Sequence, residues 1–301
     1  MIQVAGLRKV YGDLVAVDGI SFAVQPGEIF GMVGPNGAGK TTTIECLEGL
    51  RRPDAGSVSV LGLDPWGDGY AVRARVGIQL QEAALPHRIK VWEALDLFAS
   101  LYPRSTDVDA LLAQLGLTGK RTVPYAKLSG GQKRRLSIAL ALVGEPEVVF
   151  LDELTTGLDL HARRAMWDRV RAIRASGTTV FLTTHFMEEA ERLCDRVAIV
   201  DQGRILALDA PGNVVRSLGA ETRLAFTAPD GRAPDLLTRL PGVSRVEASG
   251  GHVVVVGHGH ALAGDVVAAL TAGGVPFTDL RTEQPTLDDA FLALTGRELR
   301  D

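Results

Sequence analysis

The pattern of apolar and polar positions predicts strands at the beginning of the chain. Apolar and polar residues alternate over about the first 30 positions, and Ile20, Phe22 and Val24 share one face. A period of two is typical of strands that are buried on one side only. We therefore expect an antiparallel layer of strands at the start of the chain.

Beyond this layer, short apolar runs alternate with segments of helical spacing. The predicted strands lie at 28–33, 57–60, 147–151, 178–182 and 197–200, and the predicted helices lie between Lys40 and Gly49, at 160–176 and at 186–193. Alternation of strand and helix predicts a parallel α/β sheet. From Val91 to Leu115 the apolar spacing is helical, so residues 83 to about 140 are expected to form an inserted helical subdomain.

The end of the chain carries a separate pattern. After a change of composition near 218–220, the predicted order is strand 222–226, helix 234–240, strands 244–247 and 252–256, helix 262–272 and strand 277–280. This β-α-β-β-α-β order fits a small α+β unit of ferredoxin-like type. We expect one domain over 1–218 and an accessory, regulatory domain over 219–301, closed by a helix that Thr286 and Asp289 cap.

Composition narrows the possible partners and compartments. The net charge is −4, from 32 basic and 36 acidic residues, and does not favour nucleic acid. No run approaches the roughly 18 apolar residues that a membrane span needs. Two cysteines, Cys46 and Cys194, lie in predicted helices and do not suggest a disulfide framework. We expect a cytoplasmic chain without a membrane span, so any membrane role requires a separate partner.

A glycine-rich loop between a predicted strand and a predicted helix carries the clearest chemistry. Its residues are Gly34, Pro35, Asn36, Gly37, Ala38, Gly39, Lys40, Thr41 and Thr42, in the pattern G-x-x-x-x-G-K-T. Such a loop turns backbone N–H groups onto phosphate oxygens, and the helix that follows directs its positive end at the same anion. Lys40 is expected at the β- and γ-phosphates, and the Thr41 hydroxyl is expected to ligate Mg²⁺.

Two adjacent acids follow a second apolar strand. Asp152 and Glu153 end the run Val148–Leu151, which places both carboxylates at the carboxyl edge of the sheet, beside the phosphate loop. Asp152 suits Mg²⁺, and Glu153 suits orientation and deprotonation of an attacking water. The alternative is a solvated acidic turn.

A third motif resembles that of a known family. The segment Leu128-Ser129-Gly130-Gly131-Gln132 precedes a helical pattern, and Leu128 lies 24 residues before Asp152. With the two motifs above, it resembles the signature of the ATP-binding cassette (ABC) family. The resemblance implies a P-loop NTPase cassette that binds ATP and works as a head-to-tail homodimer. Ser129, Gly130, Gly131 and Gln132 of one copy would then close on the γ-phosphate held by the other.

Other positions match the same family. The resemblance implies that Tyr11 stacks on adenine, that Val17 adds an apolar wall beneath the base, and that Asp159 contacts the second copy. His185 resembles the switch histidine that contacts the γ-phosphate. Gln81 resembles the glutamine that reaches Mg²⁺ and water, with Gln79 as its rival.

The chain departs from the family pattern at Leu154 and Leu160, where many members carry proline; proline there would stiffen the loop. Within the family, residues 81–85 and 284–291 resemble exporters of drugs and antibiotics. The resemblance thus implies the ATP-hydrolysing subunit of an exporter of drugs, antibiotics or other hydrophobic compounds, held at the inner face of the membrane by a separate integral permease. The alternatives are a cassette ATPase of translation or repair, and a nucleotide sensor that does not hydrolyse ATP.

Several polar residues are expected to be ordinary surface. They are His258 and His260, which lack a third metal ligand nearby in sequence, the cluster Lys133-Arg134-Arg135, and the pair Arg163 and Arg164. None of these is assigned a site.

Overall fold

The computed structural model describes residues 1–79, 85–217, 221–259, 261–283 and 285–296. The strands are β1 (Ile2–Tyr11), β2 (Leu14–Val24), β3 (Ile29–Val33), β4 (Ala55–Val60), β5 (Val76–Gln79), β6 (Val148–Asp152), β7 (Thr179–Thr184), β8 (Arg196–Asp201), β9 (Arg204–Asp209), β10 (Thr222–Thr227), β11 (Val243–Ser249), β12 (His252–Gly257) and β13 (Thr278–Glu283).

The helices are α1 (Lys40–Leu47), α2 (Gly69–Arg73), α3 (Val91–Ala99), α4 (Val108–Gln114), α5 (Gly130–Leu142), α6 (Leu160–Ala175), α7 (Met187–Leu193), α8 (Pro211–Ser217), α9 (Ala233–Leu237), α10 (Leu262–Ala272) and α11 (Leu287–Thr295). Among the described residues, no helix is both long enough and apolar enough to cross a bilayer.

The chain separates into two compact units. One extends over Met1–Pro211, and the second begins at Gly212. The expected division was at 218, but nearly all of α8 groups with the second unit rather than the first. The residues 218–220, where the composition changes, lie outside the described ranges.

The predicted antiparallel layer is a three-stranded sheet in the order β2-β1-β4. Val4 on the central strand pairs with Phe22 on one side and with Val58 on the other. The inward residues Ile20, Phe22 and Val24 are buried, as their alternation predicts.

The α/β sheet has six strands in the order β5-β6-β7-β3-β8-β9. The first five are parallel, and β9 returns antiparallel to β8. All residues of β3, β6 and β7 are buried, as expected for strands covered on both faces. These three parallel neighbours carry the site, because their carboxyl ends meet at one edge and each continues into a predicted functional segment.

A stack of aromatic rings packs the two sheets of the first unit together. The ring of Phe30 lies 5.4 Å from that of Phe22 and 5.6 Å from that of Phe181, measured between centroids. Phe150 lies 5.9 Å from Phe181. All four side chains are buried and belong to β2, β3, β6 and β7, so the core lies directly behind the edge that carries the predicted site.

The inserted segment is helical, as predicted, and contains α3, α4 and α5. Helix α5 packs against β5, β6 and α3. Its last seven residues are almost entirely buried rather than amphipathic, because the sheet and α3 cover it on several sides: Leu136, Ile138, Ala139, Leu140, Ala141 and Leu142. Only the start of α5 is exposed, and that start carries the signature segment 128–132.

The second unit is an antiparallel sheet in the order β11-β12-β10-β13. If the four strands of this unit are numbered 1 to 4 along the chain, their order in the sheet is 2-3-1-4. This order confirms the predicted ferredoxin-like arrangement. Leu224 and Phe226 of β10 form the core with α9 and α10, through residues such as Leu237, Val266 and Leu270. The predicted cap of α11 is present, since the Thr286 hydroxyl accepts a hydrogen bond from the Asp289 N–H at 3.3 Å.

Candidate functional site

The phosphate loop, residues 34–42, connects β3 to α1 in a conformation that requires glycine. A Cβ at Gly34 would overlap the carbonyl oxygen of Val200, and one at Gly39 would overlap that of Ala16. Gly39 also has a φ of 99° and immediately precedes α1. The loop therefore exposes backbone where a side chain would otherwise stand.

The Lys40 ammonium is folded back over this loop. Its Nζ donates hydrogen bonds to the carbonyl oxygens of Gly34 at 2.8 Å and Pro35 at 3.0 Å. Only 4% of the residue is exposed. Burial lowers the pKa of Lys40, and the carboxylates of Glu153 and Asp152 oppose that shift. An anion in the loop would further favour the charged form.

Asp152 and Thr41 face each other at the start of α1. The Thr41 Oγ1 lies 3.4 Å from an Asp152 carboxylate oxygen, and the Thr183 hydroxyl donates to the other oxygen. Burial raises the pKa of Asp152, and the neighbouring Glu153 adds to that shift. A cation beside Asp152 would reverse it.

This donor set fits Mg²⁺. Two hard oxygen ligands, one hydroxyl and one carboxylate, suit an ion that retains several waters and binds phosphate oxygens. In the part of the chain that the structure describes, no group of three or more His, Cys, Asp or Glu side chains forms a protein-only metal cage. The arrangement suits an ion that arrives with its nucleotide.

Glu153 has an unusual backbone conformation. Its φ of 47° lies in the left-handed region, which is uncommon for residues other than glycine. Its N–H donates to the carbonyl and hydroxyl oxygens of Thr183, both at 3.1 Å. Its carboxylate accepts from the Thr156 hydroxyl at 3.3 Å and lies 3.8 Å from Lys40 Nζ. Strain held by several contacts is typical of functional residues.

His185 follows β7 and faces the same carboxylate. Its Nδ1 lies 3.6 Å from Glu153 Oε1. This Nδ1 is buried and has no hydrogen-bond partner among the described residues. The imidazole ring also packs on Phe186, with 4.0 Å between ring centroids.

These groups line one open cleft of about 980 Å³. Its lining residues are Tyr11, Leu14, Val15, Ala16, Asn36, Gly37, Gly39, Lys40, Thr41, Thr42, Glu153, Thr156, His185 and Gln202. The volume lies at the upper end of the range for small-molecule sites. The structure thus brings Tyr11, the phosphate loop, Glu153 and His185 together.

Val17 does not take the predicted place beneath the base. It is 1% exposed and belongs to the hydrophobic core, whereas Leu14, Val15 and Ala16 line the cleft. Val17 lies deeper in β2, on its core side, whereas Leu14, Val15 and Ala16 lie at the more exposed start of the same strand. The side chains of Pro35 and Ala38 also lie outside the cleft lining, although the Pro35 carbonyl receives Lys40.

The signature segment is held by a helix cap and is not part of this cleft. Ser129 caps α5 by accepting from the Gln132 N–H at 3.3 Å, and the Gln132 side chain accepts from the Ser129 N–H at 3.0 Å. Asp159 caps α6 by accepting from the Ala162 N–H at 2.8 Å. Ser129, Gly130, Gly131, Gln132 and Asp159 are absent from the described lining of their own chain's cleft.

Of the two glutamine candidates, Gln81 lies outside the described residues. Gln79 ends β5 and is 1% exposed. Thr183, which holds both acids, was not singled out from the sequence. The available signal was a pair of threonines ending an apolar strand, in register with Asp152.

Two basic segments are less exposed than expected. Arg135 donates to the carbonyl oxygens of Gly116 at 3.0 Å and Leu115 at 3.3 Å, so it ties α5 to the end of α4. Burial lowers the pKa of Arg134. The interpretation of Arg134 and Arg135 as a solvated face was therefore wrong, and so was that of Arg163, whose guanidinium lies over the Phe186 ring.

Comparison with known proteins shows the family. The ABC transporter family model matches residues 17–156. A Nod factor export ATP-binding protein I of Ralstonia nicotianae is 40% identical over 309 residues, covering 100% of this chain and 95% of that protein. A daunorubicin resistance ATP-binding protein of Streptomyces coeruleorubidus is also 40% identical over 309 residues, covering 99% and 97%.

Solved structures agree with this assignment. An ATP-binding subunit of an ABC transporter superimposes with a TM-score of 0.67 at 29% identity, over 73% of this chain and 93% of that one. A bacterial ABC transporter cassette solved as a dimer shares the fold, with a TM-score of 0.63 at 23% identity over 70% and 98%. The predicted family is confirmed, and the translation, repair and sensor alternatives are not supported. The chain belongs to the ABC transporter family and is an ATPase, the ATP-binding subunit of such a transporter.

Proposed function

We propose that this ATPase is the motor subunit of an exporter, and that two copies sandwich ATP head to tail while bound to a separate integral permease. The observation that carries the proposal is the division of the motifs. Lys40, Thr41, Glu153 and His185 line the cleft, whereas Ser129 and its neighbours lie outside it. A second copy can place its signature segment, residues 128–132, against the open side of the cleft.

The phosphates of ATP occupy the loop 34–42. Backbone N–H groups and the start of α1 receive the anion, and Lys40 exchanges its carbonyl partners for phosphate oxygens. Tyr11, which is 38% exposed in the cleft lining, stacks on the adenine.

Thr41 and Asp152 would hold Mg²⁺, joined by Gln81 on the strength of the family resemblance. The bound ion would neutralise charge on the phosphate oxygens. Thr183 keeps the Asp152 carboxylate turned toward this position, because its hydroxyl donates to the oxygen that Thr41 does not face.

Glu153 orients the attacking water and accepts its proton. Three contacts fix the residue: the Thr183 oxygens at its N–H and the Thr156 hydroxyl at its carboxylate. His185, 3.6 Å from the same carboxylate, contacts the γ-phosphate. Water attack then displaces ADP, and the γ-phosphate leaves as inorganic phosphate.

The second copy contributes Ser129, Gly130, Gly131 and Gln132 to the γ-phosphate, and Asp159 contacts the opposite copy. The exposed start of α5 supports this, because Ser129 and Gly130 are accessible to a second copy in one chain. A cassette with the same fold has been solved as a dimer, which supports pairing of two copies. Loss of the γ-phosphate removes a ligand shared by both copies, so the dimer opens.

Two relatives that match nearly the whole chain support export. One is named for Nod factor export, and the other is named for daunorubicin resistance. The described residues lack a helix suited to crossing a membrane. We propose that the chain lies at the cytoplasmic face of the membrane, on its permease, with drugs, antibiotics or other hydrophobic compounds as cargo.

Glu153→Gln tests the mechanism. The amide keeps the shape of the side chain but cannot accept the proton, so steady ATP hydrolysis should fall by about 10²–10⁴-fold. ATP should still bind, and the ATP-bound dimer should persist in gel filtration. Glu147→Gln is the matched control, since Glu147 precedes β6 and pairs with Arg75 at 2.6 Å. Unchanged turnover in Glu153→Gln would remove this residue from the role of base.

A further inference from the structure

Three side chains form a stack between α6 and the end of β7. The guanidinium carbon of Arg163 lies 3.9 Å from the centroid of the Phe186 ring. The Phe186 ring in turn lies 4.0 Å from that of His185, with planes inclined at 44°. The neighbouring Arg164 is exposed, so the two adjacent arginines occupy different environments.

Two members of the stack, Phe186 in the middle and Arg163 at one end, are anchored through their backbones. The Phe186 N–H donates to the Thr184 hydroxyl at 3.0 Å, which fixes the turn after β7. The Arg163 N–H donates to the Asp159 carbonyl at 2.8 Å in the first turn of α6. The Arg163 Nε is buried and has no hydrogen-bond partner among the described residues, and the guanidinium lies over the face of the Phe186 ring.

The stack also closes a ring of contacts around the loop 153–159. One end of the loop is Glu153, which faces His185 at 3.6 Å. The other end is Asp159, which caps the helix that carries Arg163. No proline occurs between these two residues, so the chain itself does little to stiffen the loop. The stack of Arg163, Phe186 and His185 connects the two ends of this loop through non-covalent contacts.

We infer that Arg163 is a positioning residue for His185, acting through Phe186 to hold the imidazole against Glu153 and to link its position to the loop that ends at Asp159. This rests on the proposed roles of His185 and Asp159. A movement of Asp159 on contact with a second copy would reach the imidazole through one helical turn and two stacked side chains.

Arg163→Met tests the inference in the full-length chain, with Arg164→Met as the matched control. Methionine keeps the length and removes the planar cation. The chain has 6 histidines, so ¹³C,¹⁵N-histidine labelling gives few resonances, and His185→Gln assigns the one of interest. Arg163→Met should shift the ring resonances of His185, because the orientation of Phe186 sets the ring current there. Arg164→Met should leave them at the wild-type positions.

Kinetics separate positioning from general stability. Arg163→Met should lower kcat by about tenfold while KM for ATP changes by less than about twofold, since misplacement of a group near the reacting atoms costs rate rather than binding. Phe186→Leu should reproduce both the shift and the loss, without altering α6. In a His185→Gln background, Arg163→Met should have no further effect on kcat.

Unmoved His185 resonances in both Arg163→Met and Phe186→Leu would overturn the inference. Equal losses of kcat in Arg163→Met and Arg164→Met would also do so. If Arg163→Met lowers the melting temperature too far to study, Phe186→Leu provides both readouts. If His185→Gln keeps wild-type turnover, the proposed role of the histidine is wrong, while the resonances still report whether the stack positions the ring.

Discussion

Two glycine-rich helix starts of this chain differ in what surrounds them. At the start of α1, Lys40 and Glu153 are nearly buried and line one cleft, with the buried Asp152 beside Thr41. At the start of α5, Ser129 and Gly130 are exposed, and the Ser129 hydroxyl caps its own helix. Both can receive an anion, but only the first has the groups for chemistry. One chain thus carries a reaction site open on one side, and elsewhere a small polar surface suited to closing such a site.

The difference in burial decides which changes affect the chemistry. Charges in the cleft lie in a poorly solvated environment, where removal of one group strongly alters the others. The polar groups at the start of α5 are exposed and lie outside the cleft, so changes there cost a helix cap but leave the charges of the cleft unaltered. Substitutions at the two places should therefore differ in their effects on binding, even where their effects on turnover agree.

The largest expected effects compare Lys40→Met with Ser129→Arg. Lys40→Met should weaken ATP binding and lower hydrolysis by about 10²-fold or more, because the buried cation is lost. Ser129→Arg should lower hydrolysis as much but leave ATP binding to a single copy within about twofold, because the residue lies outside the cleft. Titration with a fluorescent ATP analogue and phosphate release measure the two quantities.

Asp107→Ala is the control for the lost helix cap, since Asp107 caps α4 through the Asp109 N–H at 3.0 Å. It should cost about 1 kcal/mol of stability and leave hydrolysis unchanged. If Ser129→Arg weakened ATP binding to isolated copies as strongly as Lys40→Met, the distinction between the two helix starts would be wrong.

A smaller effect is expected at Thr183. Thr183→Val removes the hydroxyl that orients Asp152, so about tenfold more Mg²⁺ should be needed for half-maximal hydrolysis. Thr179→Val is the matched control, because its buried hydroxyl accepts from the Gly27 N–H at 2.9 Å, at the other end of β7. Mg²⁺ titrations of hydrolysis measure this concentration in both variants. The same Mg²⁺ concentration for half-maximal hydrolysis in the two would mean that Thr183 has a structural role only.

The smallest effect concerns Glu48, a buried carboxyl just after α1. Burial raises its pKa to about 8, with Asp152 and Glu45 adding to the shift. Since the unfolded chain loses this proton near pH 4.5, stability should fall as pH rises from there to about 8, by about 1.4 kcal/mol per pH unit at most.

Glu48→Gln replaces the carboxyl with an amide that does not titrate. The difference in unfolding free energy between this variant and the wild type should therefore grow in favour of the variant between pH 5 and pH 8. Urea unfolding at several pH values measures it. Glu188→Gln, on the exposed side of α7, should show no such trend, and a constant difference for Glu48→Gln would refute the effect of burial.

Much of the fold followed from local patterns. Glycine, lysine and threonine at fixed spacing locate the phosphate loop, and the apolar run before Asp152 locates β6, because these motifs depend on neighbours in sequence. The hairpin β8–β9 gave no comparable signal. Its two-residue turn places Gln202 at a φ of 49° and Gly203 at 76°. Asparagine or aspartate before glycine is typical of such a turn, whereas glutamine before glycine is not.

Tertiary surroundings account for the rest. Val17 belongs to a strand whose inward face could have been assigned to the cleft or to the core, and only the sheet packing decides. Arg135 and Arg163 are predicted to lie on the surface because charged residues are mostly exposed. In the structure, Arg135 donates to backbone carbonyl oxygens and Arg163 packs on an aromatic ring. Neither partner is near in sequence.

Mixing two inactive copies tests most directly whether the site is shared. Lys40→Met lacks a working phosphate loop, and Ser129→Arg lacks a working signature segment, so neither homodimer has a complete site. A heterodimer has one complete site, and a 1:1 mixture should recover about a quarter of wild-type hydrolysis if sites act independently. Differently tagged copies would confirm that heterodimers form. Heterodimers with no more activity than either variant alone, or a Ser129→Arg homodimer with wild-type activity, would contradict the account.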